Sequence, residues 1–135
     1  MKFLLILLLG IPTFATTSEQ IIAATLLGEA RGEGLEGIYA VGTVIAQRAI
    51  ERKISPAAVC LQKKQFSCNN HGVQLNLLDS SKESKYALLL AQNILKLDKS
   101  FVKNANFYHE KKVHPSWAQG RKPVAVIGRH LFYRI

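Results

Sequence analysis

The chain has 135 residues, 48% hydrophobic and 20% charged, the size and composition of one globular domain; a disordered tail, a collagen-like fibre and a multi-span membrane protein are excluded. Eighteen Lys and Arg against nine Asp and Glu give a formal net charge of +9, which draws the chain to polyanions: nucleic acid, anionic lipid or an anionic cell-wall polymer.

Lys2 opens an apolar run, Phe3 to Leu9, which Gly10 and Pro12 break before the small-x-small triplet Thr13-Phe14-Ala15. The pattern reads as a secretory signal peptide over 1–15, followed by a single domain over 16–135. The run is far short of the ~20 residues that span a bilayer as a helix. A short buried helix and an uncleaved anchor are the other readings. Export favours an envelope or extracellular polymer over nucleic acid, and makes Cys60 and Cys68 a plausible disulfide, because the residues between them are polar and loop-like. Two buried free thiols are the alternative.

Thr17 and Gln20 fit a capping box that starts a first helix running to about Gly32 or Gly34. A second helix is predicted over Glu36 to Arg52. It is apolar almost all round and so central and buried. Ser55-Pro56 starts a short turn of helix, Ser as N-cap and Pro at the first position. Residues 60–79 read as irregular surface. Ser80-x-x-Glu83 forms a second capping box for a helix whose stripe is Tyr86, Leu89, Leu90, Ile94 and Leu97. Beyond it come a short run, Ala105 to His109, and two apolar runs flanking Gly128-Arg129, a pair suited to a tight hairpin. The prediction is an α+β domain, mostly helical, with a small antiparallel sheet near the C-terminus.

Gly28-Glu29-Ala30-Arg31-Gly32-Glu33-Gly34 carries the chemistry. At 100° per residue, Glu29 projects from the same face as Ile22 and Leu26. A carboxylate on a core-facing stripe is costly unless paired or protonated, and the protonated form is what a general acid for glycoside cleavage needs. A buried salt bridge to Arg31 or Arg48 is the competing reading; Arg31, two residues away, points to another face of the helix. Glu33 lies one turn further on.

The hexapeptide Gly28 to Glu33, followed by Glu36-Gly37 and an apolar helix ending Gln47-Arg48, resembles the SleB/CwlJ-type cell wall hydrolases, the family of the spore cortex-lytic enzymes. The resemblance continues through Gln65-Phe66-Ser67, Ala105-Asn106-Phe107-Tyr108-His109, Pro115-Ser116-Trp117-Ala118 and Ile127-Gly128-Arg129-His130-Leu131-Phe132-Tyr133. It implies a lysozyme-like catalytic domain acting on the glycan strands of peptidoglycan, with Glu29 as the catalytic acid. Gln47 replaces the family's usual Asn before Arg. Glu33, Gln65, Phe66, Tyr108, His109 and Trp117 are the candidate substrate-binding residues; flat rings suit the C–H faces of sugars, although a ring of this kind taken alone is more often a core residue. His109 is also within reach of a hydrogen bond to Glu29 or to substrate, and His130 reads as structural.

Two-carboxylate glycosidases need a second acid across the cleft. Of the nine acids, Glu19, Glu51, Asp79, Glu83, Asp98 and Glu110 read as helix ends, caps or loops, leaving Glu33 and Glu36 beside Glu29. A single-acid mechanism follows: lytic transglycosylation, ending in a 1,6-anhydromuramyl product. Hydrolysis with Glu33 placing a water, and a non-catalytic peptidoglycan-binding module, are the alternatives. His109-Glu110-Lys111-Lys112-Val113-His114 imitates a zinc-protease helix, but its His–His spacing is five and Pro115 follows, so neither metal nor other cofactor is expected. A secreted nuclease would rest on charge alone. The expected partner is peptidoglycan, not nucleic acid. The basic surface, including Lys63, Lys64, Lys82, Lys85, Lys103, Lys111, Lys112, Arg121 and Lys122, adds contacts to anionic wall polymer, and the chain is expected to act as an exported monomer.

Overall fold

The computed structural model describes residues 16–62 and 65–135, so the signal-peptide segment and Lys63-Lys64 lie outside the described residues. Helix α1 (Ser18–Ala30) starts at the predicted capping box: the Gln20 amide donates to Thr17 Oγ1 at 3.1 Å and the Thr17 amide to Gln20 Oε1 at 3.0 Å. It ends earlier than predicted, in a 3-10 turn over Arg31–Glu33, and α2 (Gly34–Arg52) follows at once. Ile38, Val41, Val44 and Ile45 are completely buried, so α2 is the central helix. Ser55 caps α3 (Pro56–Leu61) through the Ala58 amide.

The irregular segment contains 3-10 turns at Ser67–Asn69 and Leu75–Leu77. The sequence predicts a Cys60–Cys68 disulfide here; the structure holds two free thiols instead. Cys60 sits in the core, and the Cys68 thiol is directed at the Thr25 carbonyl at 3.9 Å. Asn69 closes the loop in place of a covalent bond: its Nδ2 donates to the Cys60 carbonyl at 3.1 Å and to Thr25 Oγ1 at 2.9 Å. Asn69→Ala removes both bonds and strands their acceptors, so we expect a loss of about 1–3 kcal/mol in a denaturant titration. A loss near zero would show that the loop is closed by other contacts.

Helix α4 (Lys82–Gln92) is capped one residue later than predicted, at Ser81, whose Oγ accepts from the Ser84 amide at 3.1 Å. Its inward face is Ser84, Ala87, Leu90 and Ala91, and a 3-10 turn at Ile94–Lys96 follows. Leu89 falls outside that face and is 55% exposed, so it leaves the predicted stripe. Ile94 and Leu97 are buried as expected.

Strands β1 (Phe107–Glu110), β2 (Ala125–Ile127) and β3 (His130–Tyr133) form an antiparallel sheet in the order β1-β3-β2. Tyr108 pairs with Phe132 and Glu110 with His130; Ile127 also pairs with His130. The predicted hairpin turn is present, and Gly128 takes a φ of 56°, the positive value that primed hairpin turns require. One core lies among α1, α2, α3 and α4. A smaller one joins Ala40 and Val44 of α2 to Val102, Ala105 and Phe132. Helix α2 thus serves the helical layer and the sheet, and the two meet along an open cleft.

Candidate active site

The cleft has a volume of about 500 Å³ and its wall includes Gly28, Glu29, Arg48, Gln65, Ser67, Tyr108, His109, Glu110, Trp117 and His130. That size suits a few sugar rings' worth of ligand surface. Glu29 comes from the last turn of α1 and is half-buried. Its Oε1 accepts a hydrogen bond from the Tyr108 hydroxyl, which β1 delivers from the opposite side. Burial, reinforced by the adjacent Glu29 carboxylate, pushes the Tyr108 phenol well above its usual range, so it stays protonated and donates. Tyr108 thus holds one Glu29 oxygen, and the Cys68 thiol also lies against the carboxylate.

No ion pair to Glu29 is present among the described residues. Arg31 turns away to Asp79 at 2.7 Å and also donates to Ser81 Oγ at 2.7 Å, tying the end of α1 to the start of α4. Arg48 is 4% exposed; its Nε donates to the Asn106 carbonyl at 2.7 Å, and its guanidinium lies 5.3 Å from the Phe66 ring centroid and 5.2 Å from that of Phe107. Burial brings it down to about 10, which still leaves it charged at neutral pH. The cleft thus has a fixed positive charge in its floor near the carboxylate.

Gly28 is required by close approach: a Cβ there would stand 2.7 Å from Cys68 Cβ. The Cys68-bearing turn packs against the helix beside Glu29, which places Gln65 and Ser67 in the wall.

The aromatic candidates divide. Phe66 is 1% exposed beneath Arg48, a core residue and not a sugar platform. His109 Nε2 meets the Tyr133 hydroxyl at 2.9 Å and Nδ1 the Glu110 carbonyl at 2.6 Å, so the bond to Glu29 comes from Tyr108 instead. Trp117 stands edge-on to both His109 and Tyr133 with centroids 5.6 and 5.2 Å away, so His109 and Trp117 share one aromatic wall. Tyr108 acts through its hydroxyl. Gln65 lines the cleft while accepting from Arg52 at 3.0 Å. Glu33 is not part of the cleft wall; its carboxylate receives Arg129 at 3.3 Å beneath the hairpin turn.

Two residues assigned elsewhere from the sequence line the cleft. Glu110, read as a loop residue, and His130, read as structural, are paired across β1 and β3. The period of two along a strand was the available signal, since Tyr108 and Glu110 share one sheet face.

Residues 32–133 match the family described as Cell Wall Hydrolase. The chain belongs to the cell wall hydrolase family. The matched stretch begins after Glu29. Two solved structures are similar to this cell wall hydrolase: the catalytic domain of the germination-specific lytic transglycosylase SleB from Bacillus anthracis, and the catalytic domain of the Bacillus cereus SleB protein. The first is 25% identical with a TM-score of 0.68, covering 90% of this chain and 98% of its own. The second is 25% identical with a TM-score of 0.66, covering 90% of this chain and 94% of its own. The lysozyme-like α+β architecture expected from the sequence is the one these relatives share. Comparison with curated proteins gives no match. Among the described residues no helix is long and apolar enough to cross a membrane.

Proposed function

We propose that this cell wall hydrolase cleaves the glycan strands of peptidoglycan as a lytic transglycosylase, with Glu29 as the one acid and base. The observation that carries this reading is the Glu29 carboxylate, fixed by Tyr108 in an open cleft between helices and sheet. The similarity to a lytic transglycosylase catalytic domain supports it. Glu29 protonates the glycosidic oxygen as the bond from the anomeric carbon breaks. The resulting carboxylate then takes the proton of the sugar's own 6-hydroxyl as that oxygen attacks the anomeric carbon, which regenerates the acid and closes a 1,6-anhydro ring. The 6-hydroxyl is tethered, so little entropy is lost in bringing it to the reacting carbon. The charged floor at Arg48 favours the carboxylate formed midway. His109 and Trp117 offer ring faces to the sugars.

A second reading has one observation in its favour: Glu110 lines the same cleft, so a water activated there would give hydrolysis. Glu33, held by Arg129, fits that role less well. Mass spectrometry of the released muropeptides separates the two, because anhydro products are one water lighter than reducing ends. We expect anhydro ends from both the wild type and Glu110→Gln. Reducing ends, with Glu110→Gln inactive but folded, would establish hydrolysis.

Tyr108→Phe removes only the hydroxyl. A hydrogen bond to a charged group contributes about 1.5–3 kcal/mol, so kcat is expected to fall roughly 10- to 100-fold with KM little changed. A rise in KM at constant kcat would instead assign Tyr108 to substrate binding.

The chain's place of action follows from the substrate: we read residues 1–15 as a signal peptide that exports the domain 16–135 as a monomer to the wall. Lys82, Lys85, Lys103, Lys111, Lys112, Arg121 and Lys122 are all exposed, as contacts to anionic wall polymer require.

A further inference from the structure

Sequence spacing groups Glu33 with Glu29 and Glu36; the fold instead brings Glu33 to Glu110 and His130. A carboxylate oxygen of Glu33, one of Glu110 and a ring nitrogen of His130 all lie within 4.8 Å of one another. They come from three separate segments: the 3-10 turn after α1, the end of β1 and the start of β3. We propose that these three side chains bind a divalent transition-metal ion of the zinc type, which clamps the turn after α1 to the sheet at the edge of the cleft.

Four observations carry this. His130 is 3% exposed and its Nδ1 has no hydrogen-bond partner. A buried imidazole with an unsatisfied nitrogen costs free energy that an adjacent ligand recovers. Two carboxylates converge on the same ring, Glu33 with its side chain only 8% exposed and Glu110 opposite His130 in the strand register. The countercharge on Glu33 comes from the solvent side: Arg129 Nε reaches its oxygens at 3.3 and 3.4 Å from a side chain that is 64% exposed. The approach is also prepared, since a Cβ at Gly128 would stand 3.0 Å from Glu33 Oε2.

The donor set selects the ion. Two carboxylate oxygens and one imidazole nitrogen suit zinc, with a fourth position open to water; calcium takes six or more oxygens. Donor atoms around a tetrahedral zinc stand about 3.3 Å apart, so closing the cluster needs movements of the order of 1 Å, within the reach of two carboxylate side chains. This site is distinct from the His109–His114 spacing and from the thiols.

The test is calorimetric titration of the chelator-stripped full chain with Zn2+ alone, alongside thermal unfolding with and without the ion and the absorption spectrum with Co2+. We expect one ion per chain with micromolar or tighter affinity and a raised unfolding midpoint. Glu110→Gln and Glu33→Gln should each weaken binding at least tenfold, with ion-free midpoints within a few degrees of the wild type, while His114→Asn binds as the wild type does. Absence of binding below about 1 mM would overturn the proposal. So would wild-type affinity in both Glu variants, or a cobalt spectrum with thiolate charge-transfer bands, which would place the ion on Cys60 and Cys68.

Discussion

Glu29→Gln is expected to lower the rate of peptidoglycan cleavage roughly 100- to 10,000-fold, the usual loss when a general acid is removed. Gln keeps the shape of Glu and offers the same Oε1 to the Tyr108 hydroxyl, so the bond across the cleft survives. It has no proton to give to the leaving oxygen and no carboxylate to take one back. The unfolding midpoint should therefore stay within a degree or two of the wild type while solubilisation of purified sacculi stops. More than about a tenth of wild-type activity in a correctly folded variant would move the acid to Glu110, the other carboxylate in the cleft wall.

Phe132→Ala is expected to produce the largest loss of stability. Phe132 is completely buried, packs with Ala40, Val44, Val102 and Ala105, and lies 5.6 Å from the Tyr108 ring. Truncating a buried Phe to Ala costs about 3–5 kcal/mol, a large share of the roughly 5–15 kcal/mol that holds a domain folded. The midpoint should fall by roughly 10–20 °C. Because Phe132 is the strand partner of Tyr108, activity should fall even below the new midpoint. A shift under about 3 °C would mean that the sheet is held by something other than this second core.

What could be read from the sequence is what depends on near neighbours. The Thr17–Gln20 capping box, the Ser55-Pro56 start and the Gly128-Arg129 turn are local chemistry, and each is where it was expected. The all-round apolar pattern of α2 identified a buried helix because no other environment tolerates it. Leu89 was misplaced because α4 stops at Gln92 and the buried positions beyond it belong to a tighter turn with a different angular step. Phe66 was misassigned because a buried guanidinium on α2 needs aromatic cover, a requirement invisible 18 residues away in the chain. The position of Glu29 on the inward side of its helix was legible; its hydrogen-bond donor was not, since the Tyr108 hydroxyl comes from 79 residues further on. Glu110 and His130 were hidden for the same reason, their roles being set by strand register. Cys60 and Cys68 stand as free thiols, and Asn69 holds the same loop through the Cys60 carbonyl and Thr25.

The division of labour along α2 has a temporal consequence. Glu29 belongs to a layer of helices that is complete by Gln92, whereas Tyr108 lies in strands that settle onto Ala40 and Val44 from the far end of the chain. Helices form quickly, whereas joining Tyr108 to Glu29, 79 residues apart, closes a long loop and comes late. A refolding chain should therefore regain its helical circular dichroism before it regains a seated carboxylate, and lytic activity should lag behind secondary structure. A cell wall hydrolase built this way carries its own delay: the Glu29 carboxylate is present from the first helix onward but is held in position only by the last part of the chain to assemble.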